Sequence, residues 1–417
     1  MRKPSNRLSR IALTALLGAG LLISTPVVAA DGHGDDQPRM TASSRSPERR
    51  GALVAAEHIQ RLSARQVATT LKEAGFDARD ARHGIDAYRL VYRTVDASGR
   101  PTTASGLVVL PRGGSETRLR TVSYAHGTIW NRHDAPSVKA GTTERAAALA
   151  FATTGAAALA PDYLGLGLGP GNHPYMHAKT EASASLDLLR AGRTFAFTHG
   201  RVLDRRVQVS GFSQGGHAAM ALARELAEGA DRSLKLGAVA PISGPYDMGG
   251  VQLPAMLGGR LDPYEATLGV AQWTVAWNAV YRFYADPSEA FQAPYDQIVE
   301  KLFDGEHTLD EIFAELPGTP QELLTPQFIQ RLAHPTGTVA EAFRENDATC
   351  AFGLRAPARL YAAAGDPSNL PINTERCRDA LRRHGGNASI VDLGDIDHVT
   401  SEQHAVPAVA RWFATRP

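Results

Sequence analysis

Val207-Gln208-Val209-Ser210-Gly211-Phe212-Ser213-Gln214-Gly215-Gly216 is the stretch from which the fold can be read. Its first four residues form a buried-strand pattern, and Ala218 to Ala227 beyond it are strongly helical. Between strand and helix lies a G-x-S-x-G turn. A serine on such a turn stands clear of the sheet edge, and the flanking glycines leave room for a tight backbone. The helix that opens behind it favours negative charge developing nearby. By composition alone, with 39 glycines in 417 residues, the pentapeptide would turn up by chance in roughly one chain in five or six. The bland alternative is a Gly-rich turn that merely caps a helix. The strand before it and the helix after it are what make Ser213 a candidate nucleophile.

Outward from this turn the chain alternates. Strands are expected at 88–95, 103–110, 120–125, 156–160, 206–210, 236–242, 358–364 and 388–393. Helices are expected at 143–154, 181–197, 215–228, 374–384 and 401–414. The 88–110 pair reads as a hairpin, and the rest implies an α/β protein with a mostly parallel sheet covered by helices on both faces. Residues 52–75 carry apolar positions at helical spacing (Leu53, Val54, Ile59, Leu62, Val67, Leu71), which predicts a surface helix. Residues 248–345 interrupt the alternation. They hold Trp273, Trp277, Tyr281, Phe283, Tyr284, Phe291, Phe303 and Phe313, and so long a structureless loop is unusual in a compact domain. A helical insertion with its own small core is expected there, splitting a core of 51–247 and 346–417.

A serine nucleophile needs a base, an acid that orients the base, and donors for an oxyanion. Ala358–Ala364 is a strand that runs into Gly365-Asp366, and Ser389–Leu393 leads to Asp397-His398. Each group follows its own strand in the order serine, acid, histidine. Asp366 and His398 are therefore the expected partners of Ser213. Asp392, Asp395 and Asp397 share the short loop of His398 and cannot easily reach behind its ring; capping the last helix is their expected role. His404 falls within that helix, and most of the other histidines lie in helices, in the N-terminal linker or ahead of Ser213. For the oxyanion, Gln214 supplies one backbone N–H. The strand Thr121–Ala125 ends in His126-Gly127-Thr128, so the N–H of Thr128 or Gly127 is the expected second donor. His126 is expected to order that loop by hydrogen bonding.

Composition narrows the partners. Apolar residues make up 43% and charged residues 21%, and the net charge is +1, which excludes a field able to gather nucleic acid. The basic run at Arg45, Arg49 and Arg50 reads as part of a solvated linker over 31–50. Arg2, Lys3, Arg7 and Arg10 precede an apolar run from Ile11 to about Thr25 and the small residues Val28-Ala29-Ala30. That run is short of the ~20 residues a span requires, so 1–30 is expected to be a cleaved signal peptide and the mature chain to be exported without an integral membrane segment. Cys350 and Cys377, the two cysteines, could pair in an oxidising compartment. No Walker loop, H-E-x-x-H pair or Cys/His zinc spacing appears, so no metal and no cofactor are expected. Gly165 to Gly171 superficially suggests a dinucleotide fingerprint, but it does not follow the first strand and Pro170 interrupts it. A loop near the site is the better account. Oligomeric state is not legible here.

Taken together, Gly211–Gly216, His126-Gly127-Thr128, Asp162-Tyr163-Leu164-Gly165-Leu166-Gly167, His173-Pro174-Tyr175, Gly244-Pro245-Tyr246-Asp247, Gly365-Asp366 and Asp397-His398 resemble the α/β-hydrolase superfamily, and more closely its secretory lipase family of the Candida lipase A type. The resemblance spans nearly all of the expected mature chain outside the insertion. It implies the α/β-hydrolase fold, a cap domain where the insertion sits, and a catalytic serine, acid and histidine at Ser213, Asp366 and His398. The expected activity is cleavage of small to medium acyl esters, with glycerides within range. A peptidase or amidase of the same fold is the alternative, and a third reading is a non-catalytic binding protein on a hydrolase scaffold.

Overall fold

Nine strands form a single sheet in the computed structural model, which describes residues 49–416. The expected signal peptide, and all of the linker but Arg49 and Arg50, lie outside that range. The strands are β1 (Leu53–Leu62), β2 (Gly84–Val95), β3 (Pro101–Arg112), β4 (Arg118–Ala125), β5 (Ala156–Pro161), β6 (Val202–Phe212), β7 (Lys235–Ile242), β8 (Arg359–Ala362) and β9 (Ser389–Asp392). They lie in the order β1-β2-β3-β5-β4-β6-β7-β8-β9. Pairings from β5 through β9 are parallel, whereas β1–β2, β2–β3 and β3–β5 are antiparallel.

Both faces are covered. α3 (Ala178–Thr198), α4 (Gln214–Ala227) and α12 (Ile372–Arg383) pack Leu188, Leu189, Leu222, Leu226 and Leu381 on one side. α1 (Ala64–Glu73), α2 (Thr143–Ala152) and α13 (His398–Ala414) pack Val67, Leu71, Leu149, Phe151, Val409 and Phe413 on the other. β2 and β3 serve both cores by alternation: Leu90, Tyr92 and Val108 face the first, Ile85, Ala87 and Val109 the second. β5 is buried throughout, as a central strand covered by helices on both faces must be. The α/β class and the two-sided cover agree with the sequence.

The helix expected over 52–75 is corrected. Leu53–Leu62 is an edge strand paired antiparallel to β2, and only 64–73 is helical. The apolar spacing fits either period over so short a span, and backbone pairing with β2 decides it. Ser63 marks the true helix start through a reciprocal capping box with Gln66. Arg50, read as linker, donates to the buried carboxylate of Asp187 on α3 at 2.9 Å.

Between β7 and β8 lie the helices α5 (Leu253–Leu257), α6 (Pro263–Tyr281), α7 (Val299–Leu302), α8 (Leu309–Glu315), α9 (Pro320–Leu323), α10 (Pro326–Ala333) and α11 (Gly337–Asn346). They close over a core of their own. Trp273 stacks on Phe343 with ring centroids 5.4 Å apart and lies 4.8 Å from Trp277. Asp347 joins the ends of this insertion by accepting from the N–H groups of Met248 (2.8 Å) and Gly249 (3.0 Å). Cys350, just beyond, is disulfide-bonded to Cys377 on α12.

Candidate active site

β6 ends at Phe212, and the next residue leaves the strand abruptly. Ser213 has φ 56° and ψ −122°, a conformation that costs a non-glycine residue about 1–3 kcal/mol and is kept only where the surroundings impose it. The Ser213 N–H donates to Ile242 O on β7 at 3.0 Å, which ties the turn to the neighbouring strand. The glycines of the pentapeptide are required by contact. A β-carbon on Gly211 would fall 2.1 Å from Gly215 O, and one on Gly215 would fall 2.0 Å from Ala125 O. The turn and the end of β4 are thus pressed together.

That contact places His126-Gly127-Thr128 beside Ser213. Gly127 packs on the Phe212 ring, where a β-carbon would approach within 3.1 Å. Among the described residues, the backbone N–H groups of Gly127, Thr128 and Gln214 donate to no acceptor. Unpaired donors of this kind are available to an anion. His126 accounts for the loop's shape: its Nδ1 lies 2.7 Å from Gly127 O, and its carbonyl accepts from the Tyr163 hydroxyl at 3.0 Å. The Thr128 hydroxyl bonds that of Tyr175 at 3.1 Å.

Asp366 and His398 meet across the ends of β8 and β9. His398 Nδ1 donates to Asp366 Oδ2 at 2.7 Å. The other carboxylate oxygen, Oδ1, accepts from the N–H groups of Ser368 (2.9 Å) and Asn369 (2.8 Å). Asp366 is buried, so these three donors hold it in one orientation. His398 is the first residue of α13, and Asp397 caps that helix by accepting from Thr400 N at 2.9 Å. The His398 ring packs on Phe212, next to Ser213, with centroids 4.6 Å apart. Among the described residues no hydrogen bond joins that ring to Ser213 Oγ. The hydroxyl instead receives a long 3.4 Å bond from Asn369 Nδ2, which also donates to Ser243 O at 2.9 Å. Catalytic hydrogen bonds of this kind often tighten only in the substrate complex.

Asn369 has no motif of its own in the sequence; only its place three residues after Asp366 could have drawn attention to it. Beneath Gln214 lies a second group, of which Glu181 and His217 have no motif in the sequence. Gln214 Nε2 donates to His173 Nε2 (2.8 Å) and to Glu181 Oε1 (3.1 Å), and Glu181 Oε2 lies 2.7 Å from His217 Nδ1. A cavity of about 400 Å³ lies between the insertion and the core; Ile129, Trp130, His173, Gln272, Ala276 and Phe303 line it, but Ser213, Asp366 and His398 do not.

Solved structures share this fold. A Legionella pneumophila protein described from inference as a hydrolase superimposes with a TM-score of 0.79 at 26% identity, over 87% of this chain and 97% of its own. The rice cell wall degrading esterase LipA of Xanthomonas oryzae, in a ligand-bound form, gives 0.76 at 25% identity, over 87% and 98%. This chain has the α/β-hydrolase fold and is similar to lipase-type structures that share it. Candida antarctica lipase A, at 14% identity and a TM-score of 0.62 over 84% and 78% of the two chains, shares the fold. No family model and no curated protein matches the sequence. Esterases and a lipase are among these like-folded structures. Among the described residues no helix is long and apolar enough to cross a membrane.

Proposed function

We propose that the protein is an exported serine hydrolase that cleaves carboxylic esters through Ser213, His398 and Asp366. The observation that carries this reading is the strained Ser213 turn, flanked by the unpaired N–H groups of Gln214, Gly127 and Thr128 and by an Asp366–His398 pair at 2.7 Å. When an ester enters, a rotation of the Ser213 side chain brings Oγ to His398 Nε2. That nitrogen takes the hydroxyl proton while Oγ bonds the carbonyl carbon. Asp366 fixes the Nδ1–H tautomer and stabilises the imidazolium that forms. Negative charge moves to the carbonyl oxygen, where two preorganised N–H donors and the N-terminus of α4 oppose it. His398 then protonates the leaving alkoxide. A water molecule attacks the acyl-enzyme by the same path in reverse, releasing the acid and restoring Ser213.

The apolar, aromatic insertion supports an acyl substrate. The Cys350–Cys377 disulfide supports an oxidising compartment, in line with the leader expected over 1–30. Hydrolysis of p-nitrophenyl esters of graded chain length tests the reading. Turnover should peak at small to medium acyl chains and vanish in Ser213→Ala. A folded wild-type protein that turns over none of the series would exclude it.

A further inference from the structure

Directly beneath the Ser213 turn lies a polar cluster that the proposed mechanism does not use. His217 is on α4, one helical turn beyond Ser213, and Glu181 is on α3; both side chains are 1% exposed. His217 Nδ1 is 2.7 Å from Glu181 Oε2, and His217 Nε2 is 2.9 Å from the carbonyl oxygen of Asn346. A carboxylate and a carbonyl can only accept, so both ring nitrogens donate and the ring is an imidazolium. Burial opposes that charge, but the charge and hydrogen bond of Glu181, with Asn346 O, outweigh it and hold His217 above the ordinary histidine range.

The second oxygen of Glu181 leads to the oxyanion site. It accepts at 3.1 Å from Gln214 Nε2, whose other hydrogen goes to His173 Nε2 at 2.8 Å. His173 Nδ1 lies 2.9 Å from Leu164 O, which makes it the N–H, so Nε2 is free to accept. Burial holds this ring neutral, its pKa pushed down to about 4. Both amide hydrogens of Gln214 are therefore assigned, and the residue is held from two sides. Its own backbone N–H is the donor that follows the nucleophile.

We propose that Glu181 and His217 are positioning residues for the ester hydrolysis, acting through the Gln214 side chain to fix the Gln214 backbone N–H where the oxyanion forms. This rests on the Ser213 reading above. A buried ion pair is expensive to desolvate and is weak evidence for stability by itself. Here it occupies the junction of α3, α4 and Asn346 and aims its remaining acceptor at one amide. An oxyanion donor works only where its geometry is fixed in advance.

The test is steady-state kinetics on a soluble p-nitrophenyl ester with wild type, Gln214→Ala, Glu181→Leu/His217→Leu, and the triple variant. The Leu pair removes both charges together, so neither is left orphaned. Each of the first two variants should lose about 10- to 100-fold in kcat with KM changed little. The triple variant should lose no more than the worse of them, since all act through one atom. A kcat within twofold of wild type for Gln214→Ala, which leaves the ion pair untouched and keeps the test valid if the Leu pair misfolds, would overturn the proposal. So would losses that simply multiply in the triple variant. An inactive wild type that fails to react with a fluorophosphonate would instead overturn the Ser213 reading.

Discussion

Gly215 has no space for a side chain, because the nearest atoms to a β-carbon there are the backbone of Ala125 and His126. Backbone at that distance cannot swing aside as a flexible side chain would. Gly215→Ala should therefore force the Ser213 turn and the 126–128 loop apart. We expect a cost of roughly 1–3 kcal/mol or more, read as a lower urea midpoint, together with a fall of at least tenfold in kcat. Unchanged stability and activity would mean the turn is looser than drawn. The same residue-scale view explains what could be read in advance. Ser213, Asp366 and His398 were legible because each follows a strand, and strand ends are visible in apolar patterning. Gln214, Gly127 and Thr128 were legible by position relative to those strands. Asn369, Glu181 and His217 were not. Their partners lie 126 residues away at Ser243 and 36 away between Glu181 and His217, and no local pattern encodes such pairings.

At the scale of elements, α13 does more than carry His398. One turn further along it, Glu402 is buried and accepts from the Tyr124 hydroxyl on β4 at 2.5 Å. Burial pushes its carboxyl up to about 8. The folded protein thus holds this proton more strongly than the unfolded chain, where a glutamate titrates near ~4.3. Its contribution to stability is full below that value and is lost as pH rises through about 8. Thermal melts of wild type and Glu402→Gln between pH 5 and pH 9 should converge at the acid end. Wild type should then fall behind by a few kcal/mol at the alkaline end. Parallel curves would refute this protonation state. The comparison with the variant isolates Glu402 from Asp347, pushed up to about 7 by burial, which adds a slope of the same sign to both proteins. β1 makes the complementary point about legibility. Its apolar spacing alone favoured a helix, and only pairing with β2 settles it as a strand. The Ser63–Gln66 capping box was the local mark of where helix really begins.

For the molecule as a whole, the insertion is joined to the core at both ends. Asp347 grips Met248 and Gly249, and the disulfide from Cys350 to Cys377 closes a loop of 27 residues just beyond. Closing a loop of that length stabilises by roughly 3–4 kcal/mol in the chain-entropy model. Urea unfolding with and without a thiol reductant should show that loss, and Cys377→Ser should match the reduced protein. An unshifted midpoint would mean the bond contributes nothing at equilibrium. From β2 onward the two-faced sheet was legible because those strands are bounded by helix or turn signals. The internal order of the insertion was not, since apart from the 19-residue α6 its helices are short and are held together by side chains distant in sequence, as Trp273 and Phe343 are. The fold converges on one hydroxyl. Intact-protein mass spectrometry after treatment with a fluorophosphonate, followed by peptide mapping, tests that most directly. One adduct per chain on Ser213, absent from Ser213→Ala, is the predicted result. An adduct on another residue, or ester hydrolysis surviving in Ser213→Ala, would contradict it.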